Sequence, residues 1–148
     1  MTSSKVRALF IAGLATFVMG LGYAAMASPR PDDSPLHELM EKVQANNAVI
    51  LKGVRTEANF RKSKDDVVKA AQDLIELGKE ARKATEPAQK EKQPQSRWEE
   101  LTDAMIKESE KFASAVAKPD IKQADAKNAY KAVQRSCTDC HDVFRKDE

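Results

Sequence analysis

Glycine, proline and aromatic residues are scarce in this chain, with 5 glycines, 6 prolines and 5% aromatics among 148 residues. A sheet protein built on tight turns needs more turn residues than that, and no run alternates apolar with polar as a half-buried strand would. Two cysteines are too few for a disulfide-stapled scaffold. No charge of one sign dominates: 25 basic against 23 acidic residues leave +2 and no basic block, which speaks against nucleic-acid binding. No catalytic acid–base pair or hydrolase nucleophile stands out, so the chain does not read as an enzyme. What is present is 41% hydrophobic residues spread through a 32% charged background, enough for one modest core and too much for a disordered chain.

The N-terminus reads separately from the rest. Lys5 and Arg7 precede an apolar run from Ala8 to Met26, which closes on Ala25-Met26-Ala27. A short positive region, an apolar segment and small residues before a cut describe a secretory signal peptide, residues 1–27. An uncleaved anchor is the alternative, since the run is nearly long enough to span a bilayer. Cleavage after Ala27 leaves a charge-balanced domain of residues 28–148, exported to the bacterial periplasm and soluble once the signal is removed.

Within that domain the prolines mark borders. Ser34-Pro35 is an N-cap followed by proline at the first helical position, and Leu36, Met40, Val43, Ile50 and Val54 recur at helical spacing towards Gly53, with Asn47 interrupting the stripe. Ser63-Lys64-Asp65-Asp66 predicts a second helix start, running through Val67, Ala70, Leu74, Leu77 and Ala81. A polar loop is expected over 86–95. Ser96-Arg97-Trp98-Glu99 has the capping-box pattern of a third helix carrying Leu101, Met105, Phe112 and Val116, with Trp98 anchoring the loop. Pro119-Asp120 opens a fourth through Ala126, Tyr130, Val133 and Phe144. Four amphipathic helices of about 20 residues, each near 30 Å long, hide their stripes against one another. The expected fold is all-α, an antiparallel up-down-up-down four-helix bundle.

Chemistry concentrates in Cys137-Thr138-Asp139-Cys140-His141, the C-x-x-C-H attachment pattern of c-type haem. On a helix these three side chains share one face. Two thiols can add to the haem vinyl groups while the histidine reaches the iron, giving one covalent haem c. The alternatives are a disulfide in a haem-free exported protein, a thioredoxin-like pair without its usual βαβ context, and zinc, for which two histidines leave few ligands. The sixth iron position decides the function. Methionine opposite histidine suits electron transfer, whereas a vacant position suits a module that binds nitric oxide or carbon monoxide. Met40 lies at the centre of the first apolar stripe and is the distal candidate, with core packing its plain alternative. His37, about 90° off that centre, is the alternative ligand, and Met105 and Met26 compete less well.

These residues resemble something known. Long helices with Cys137-Thr138-Asp139-Cys140-His141 near the end look like the class II c-type cytochromes, which include the cytochrome c prime group. Leu36-His37-Glu38-Leu39-Met40-Glu41, Ala84-Thr85-Glu86-Pro87 and the chain's end also resemble the periplasmic b-type four-helix cytochrome. That resemblance implies Met40 and His141 as axial ligands. His37 stands where an alternative alignment would put the sixth-position residue. Val133 and Phe144 share the motif's face and are expected to pack on the haem, and Tyr130 either bonds a propionate or covers the core edge. Lys127, Lys131, Arg135, Arg145 and Lys146 cluster around this helix and would steer an acidic redox partner protein. Some class II members form homodimers, and the same is open here.

Overall fold

The computed structural model describes residues 34–145, and all of their regular structure is helical. The signal segment, Met26 and Lys146 lie outside the described residues. Four long helices, α1 (Pro35–Gly53), α2 (Glu57–Ala81), α4 (Gln95–Val116) and α5 (Gln123–Phe144), form an antiparallel bundle, and a short α3 (Glu86–Lys90) sits in the connection before α4. α1 packs on α2, α2 on α4 and α4 on α5. The fourth seam, between α1 and α5, differs: their backbones scarcely approach, and contact there runs through side chains.

The helix ends show which local signals decide. Ser34 caps α1 as expected, its Oγ accepting from the His37 N–H at 3.1 Å with Pro35 next in line. The second helix starts earlier than its acid-rich Ser63 signal suggests, because Thr56 caps it through the Asn59 N–H and Phe60 is already buried. Ser63 is instead a kink (φ −121°, ψ 24°), its hydroxyl donating back to the Asn59 carbonyl at 2.8 Å. Part of the expected 86–95 loop is α3, with Pro87 and Ala88 buried. The Ser96 capping box does not form. The chain enters α4 at Gln95, whose side-chain amide donates to the Ala84 carbonyl across the connection. α5 begins at Gln123 rather than at Pro119-Asp120, and the Gln123 amide donates to the Val54 carbonyl at the end of α1.

Helix approach is closest where glycine allows it. A methyl group on Gly53 would collide with the Val67 side chain and stand 3.1 Å from Ser63 Oγ, so α1 and α2 meet there with no room for a Cβ. Gly78 plays the same part between α2 and α4, facing Met105 Cε and Ile106 Cγ1.

The apolar core is split in two. One cluster runs from Val43, Ile50 and Val54 through Val67, Leu74 and Phe112 to Tyr130 and Val133. The other gathers Ala81, Ala88, Trp98, Leu101 and Phe144 at the opposite end. Met40 is the one partly buried side chain that packs on both. Gly53→Ala should destabilise the bundle. Overpacking costs about 1–3 kcal/mol, against about 1 kcal/mol gained in helix propensity. Urea unfolding should therefore show a lowered midpoint, and an unchanged or raised one would contradict the close approach.

Candidate functional site

Two aromatic pairs fix the register of α5 against α4. Phe112 leans on Tyr130 with centroids 5.2 Å apart, and Trp98 meets Phe144 edge-to-face at 5.1 Å. Both pairs belong to a single antiparallel register, whose midpoint sets Met105 opposite Cys137. A third pairing ties α5 to α1: the Tyr130 hydroxyl donates to Asn47 Oδ1 at 2.6 Å. Seven residues on in each antiparallel helix, that register sets Met40 level with Cys137. Met40, Cys137, Met105 and Gly78 therefore share one layer, and it is the layer at which the core divides.

Cys137 and Cys140 are half-buried in α5, with Cys137 packed on the first core cluster and Cys140 on the second. Taking 100° per residue, Cys137 and His141 lie on the flank of α5 that Tyr130 turns towards α1, while Cys140 sits nearer α4. His141 is at the exposed edge of that face. Cys137 and His141 thus border the α1–α5 seam, with Cys140 on its α4 side. Met40 comes towards it from α1, half-buried. Met105 is buried, its methyl turned to the space over Gly78 on α2. His37 is exposed, with its Nε2 3.6 Å from Glu41 Oε1.

The packing residues are where the apolar pattern puts them. Val133 and Tyr130 are almost fully buried, and Phe144 is buried against Trp98. Trp98 also fastens the connection, its Nε1 donating to the Ala81 carbonyl at 3.0 Å. Lys127, Lys131 and Arg135 are exposed on α5, and Arg145 is exposed just past its end. The residue that sequence reasoning missed is Asn47, whose interruption of the α1 stripe is explained by Tyr130. A polar side chain near the centre of an apolar stripe, facing a helix with one buried tyrosine, was the available signal.

Electrostatics separate the possible thiol chemistries. Burial pushes the Cys137 thiol up. Burial first, and then the neighbouring Cys137, push Cys140 up to about 11, with Arg97 pulling slightly the other way. Thiol–disulfide exchange depends on a lowered thiol pKa, so this pair is poorly set for a thioredoxin-like role. Burial, and secondarily Cys137, also raise the Tyr130 phenol, which keeps its hydroxyl a donor to Asn47.

The donor set fits a covalently held haem. Two sulfurs three residues apart and an imidazole one residue on border a seam between helices, and a thioether stands level with them on the facing helix. Among the described residues no group of three His, Cys, Asp or Glu side chains converges to hold a metal ion, and no helix is long and apolar enough to cross a membrane. Comparison with family models, with curated proteins and with solved structures finds no match.

Two outcomes follow from this geometry. In chain made with both thiols free, alkylation of Cys140 at pH 8 should run roughly tenfold or more slower than that of free cysteine, because thiolate is scarce. The rate should climb as pH rises towards 11, and a fast reaction at pH 8 would contradict the burial. Tyr130→Phe removes the one hydrogen bond between side chains described across α1 and α5 and should lower unfolding free energy by about 1 kcal/mol in urea titration.

Proposed function

We propose that the chain is an exported c-type cytochrome of the class II kind, carrying single electrons rather than catalysing a reaction. Cys137 and Cys140 would hold a haem covalently, and His141 and Met40 would offer donors to its iron. The observation that carries the proposal is the level shared by Met40 and Cys137, where the core divides, with Cys140 and His141 following on the same helix.

The bound haem would supply an iron that cycles between ferrous and ferric states. The rest of the work falls to the protein. Each thiol would add across a haem vinyl double bond, its sulfur to one carbon and its hydrogen to the other, and the two links would fix the group against α5. His141 would offer a neutral imidazole nitrogen from the same helix, and Met40 a thioether sulfur from α1. Methionine opposite histidine raises the potential. Both ligands stand on long helices whose relative register is set by Tyr130–Asn47 and by the aromatic pairs, so their positions change little with the charge on the iron. Val133 and Phe144 would exclude water on the core side. Residues 1–27, with Lys5, Arg7 and Ala25-Met26-Ala27, support export to the periplasm, the compartment in which this proposal places the protein.

The alternative is a five-coordinate, gas-binding protein in which Met40 is only core. Absorption spectra in both oxidation states separate the two. The carrier reading expects a low-spin, six-coordinate haem that turns high-spin in Met40→Ala and remains low-spin in His37→Ala. A high-spin wild type with rapid carbon monoxide uptake would overturn it in favour of gas binding.

A further inference from the structure

The α1–α5 seam continues past Tyr130, away from the cysteines, into a surface groove of about 270 Å³. Its floor is Val54, Tyr130 and Leu51, and its rim is Arg55 from the end of α1 with Lys127 and Lys131 from α5. Leu51 is 47% exposed, and only Val49 joins it as a large exposed hydrophobic among the described residues.

The charges around this groove are sorted, although the chain as a whole is balanced. No acidic residue occurs from Lys42 to Thr56, nor from Ala126 to Thr138. Several surface cations elsewhere pair with a carboxylate on their own helix, as in Lys69–Asp73, Lys79–Glu76, Lys83–Glu80, Arg97–Glu100 and Lys111–Glu108. Among the described residues Arg55, Lys127 and Lys131 have no carboxylate partner, and Lys131 donates only to the Asn128 side chain. Arg135 extends the same charge one turn along α5. An unpaired cationic rim around an exposed apolar floor is a complementary surface lacking its complement.

We propose that this face docks a partner protein presenting carboxylates around one protruding apolar side chain. The size decides against a small cofactor, since such sites usually enclose about 300–1,000 Å³, while this groove has room for one or two inserted side chains. A second copy of the chain would bring like charges together across the seam. A lipid surface is a poorer match, because Leu51 is the only large exposed hydrophobic lining the groove, and one leucine offers little apolar area to bury in a bilayer. The surface stands apart from Cys137, Cys140 and His141, so it holds whether or not a haem is attached.

The test titrates the isotope-labelled protein at low salt with a synthetic acidic peptide, a central leucine flanked by glutamates, followed by NMR. Shifts should concentrate on residues 48–55 and 127–134 and weaken at 0.15 M salt. Lys127→Glu/Lys131→Glu should cut affinity at least tenfold, and Leu51→Ser at least threefold. The charge-matched control Lys107→Glu/Lys118→Glu, on α4 and just past its end, should stay within twofold of wild type. Amide spectra of each variant report whether it is folded. The proposal is overturned by shifts scattered over the surface, by equal affinity for a serine-centred peptide, or by equal loss in the control. It is also overturned if phosphatidylglycerol vesicles bind this face and the peptide does not.

Discussion

The hydrogen bond from Tyr130 to Asn47 is the constraint on which the arrangement depends. α1 and α5 are the one pair of neighbouring helices whose backbones stay apart. In such a seam the close backbone approach that locks α2 on α4 is missing. The register must be enforced by something specific, and a buried phenol with one acceptor is specific. Sliding α5 by one residue turns its face by about 100°, which would carry Tyr130 off Asn47 and Cys137 off the level of Met40 together. The Trp98–Phe144 and Phe112–Tyr130 contacts on the α4 side hold α5 from behind. Between these fixed points lies a layer of Gly78, Met105, Met40 and Cys137, which are small or flexible side chains that fill irregular space without defining it.

The same seam has two characters along its length. At the end near the α1 N-terminus it is bordered by sulfur and imidazole, a donor set with covalent and metal-binding chemistry. Beyond Tyr130 it is bordered by unpaired cations around Leu51, a surface suited to recognition. Tyr130 and Asn47 stand between the two. A carrier needs both a guarded redox group and a place for partners to land beside it, and the proposed function and the proposed surface would share one face of the bundle.

Much of the fold was readable from local signals. Ser34-Pro35 combines a cap and an N1 proline, and the two agree, so α1 begins where they say. Ser63 misled because a hydroxyl before two acids also fits a kink in which the hydroxyl bonds back to Asn59. Ser96 carried a capping-box pattern, but the helix starts two residues earlier, at Gln95, whose side chain reaches across to Ala84. The site divides in the same way. Cys137, Cys140 and His141 are a local pattern whose geometry follows from the helix itself. The half-buried place of Met40 between the two core clusters follows from its angular position on α1. Asn47 and Tyr130 are 83 residues apart, and nothing local pairs them. The cationic groove was hidden for another reason: a chain-wide charge near zero conceals two acid-free stretches that only the fold brings together.

The most direct measurement is the intact mass of the protein purified from a bacterial host that exports and matures c-type cytochromes. The account predicts a polypeptide starting at Ser28 that carries the mass of one haem, with neither Cys137 nor Cys140 open to alkylation after denaturation. A polypeptide of unmodified mass, with its two cysteines free or joined to each other, would contradict it.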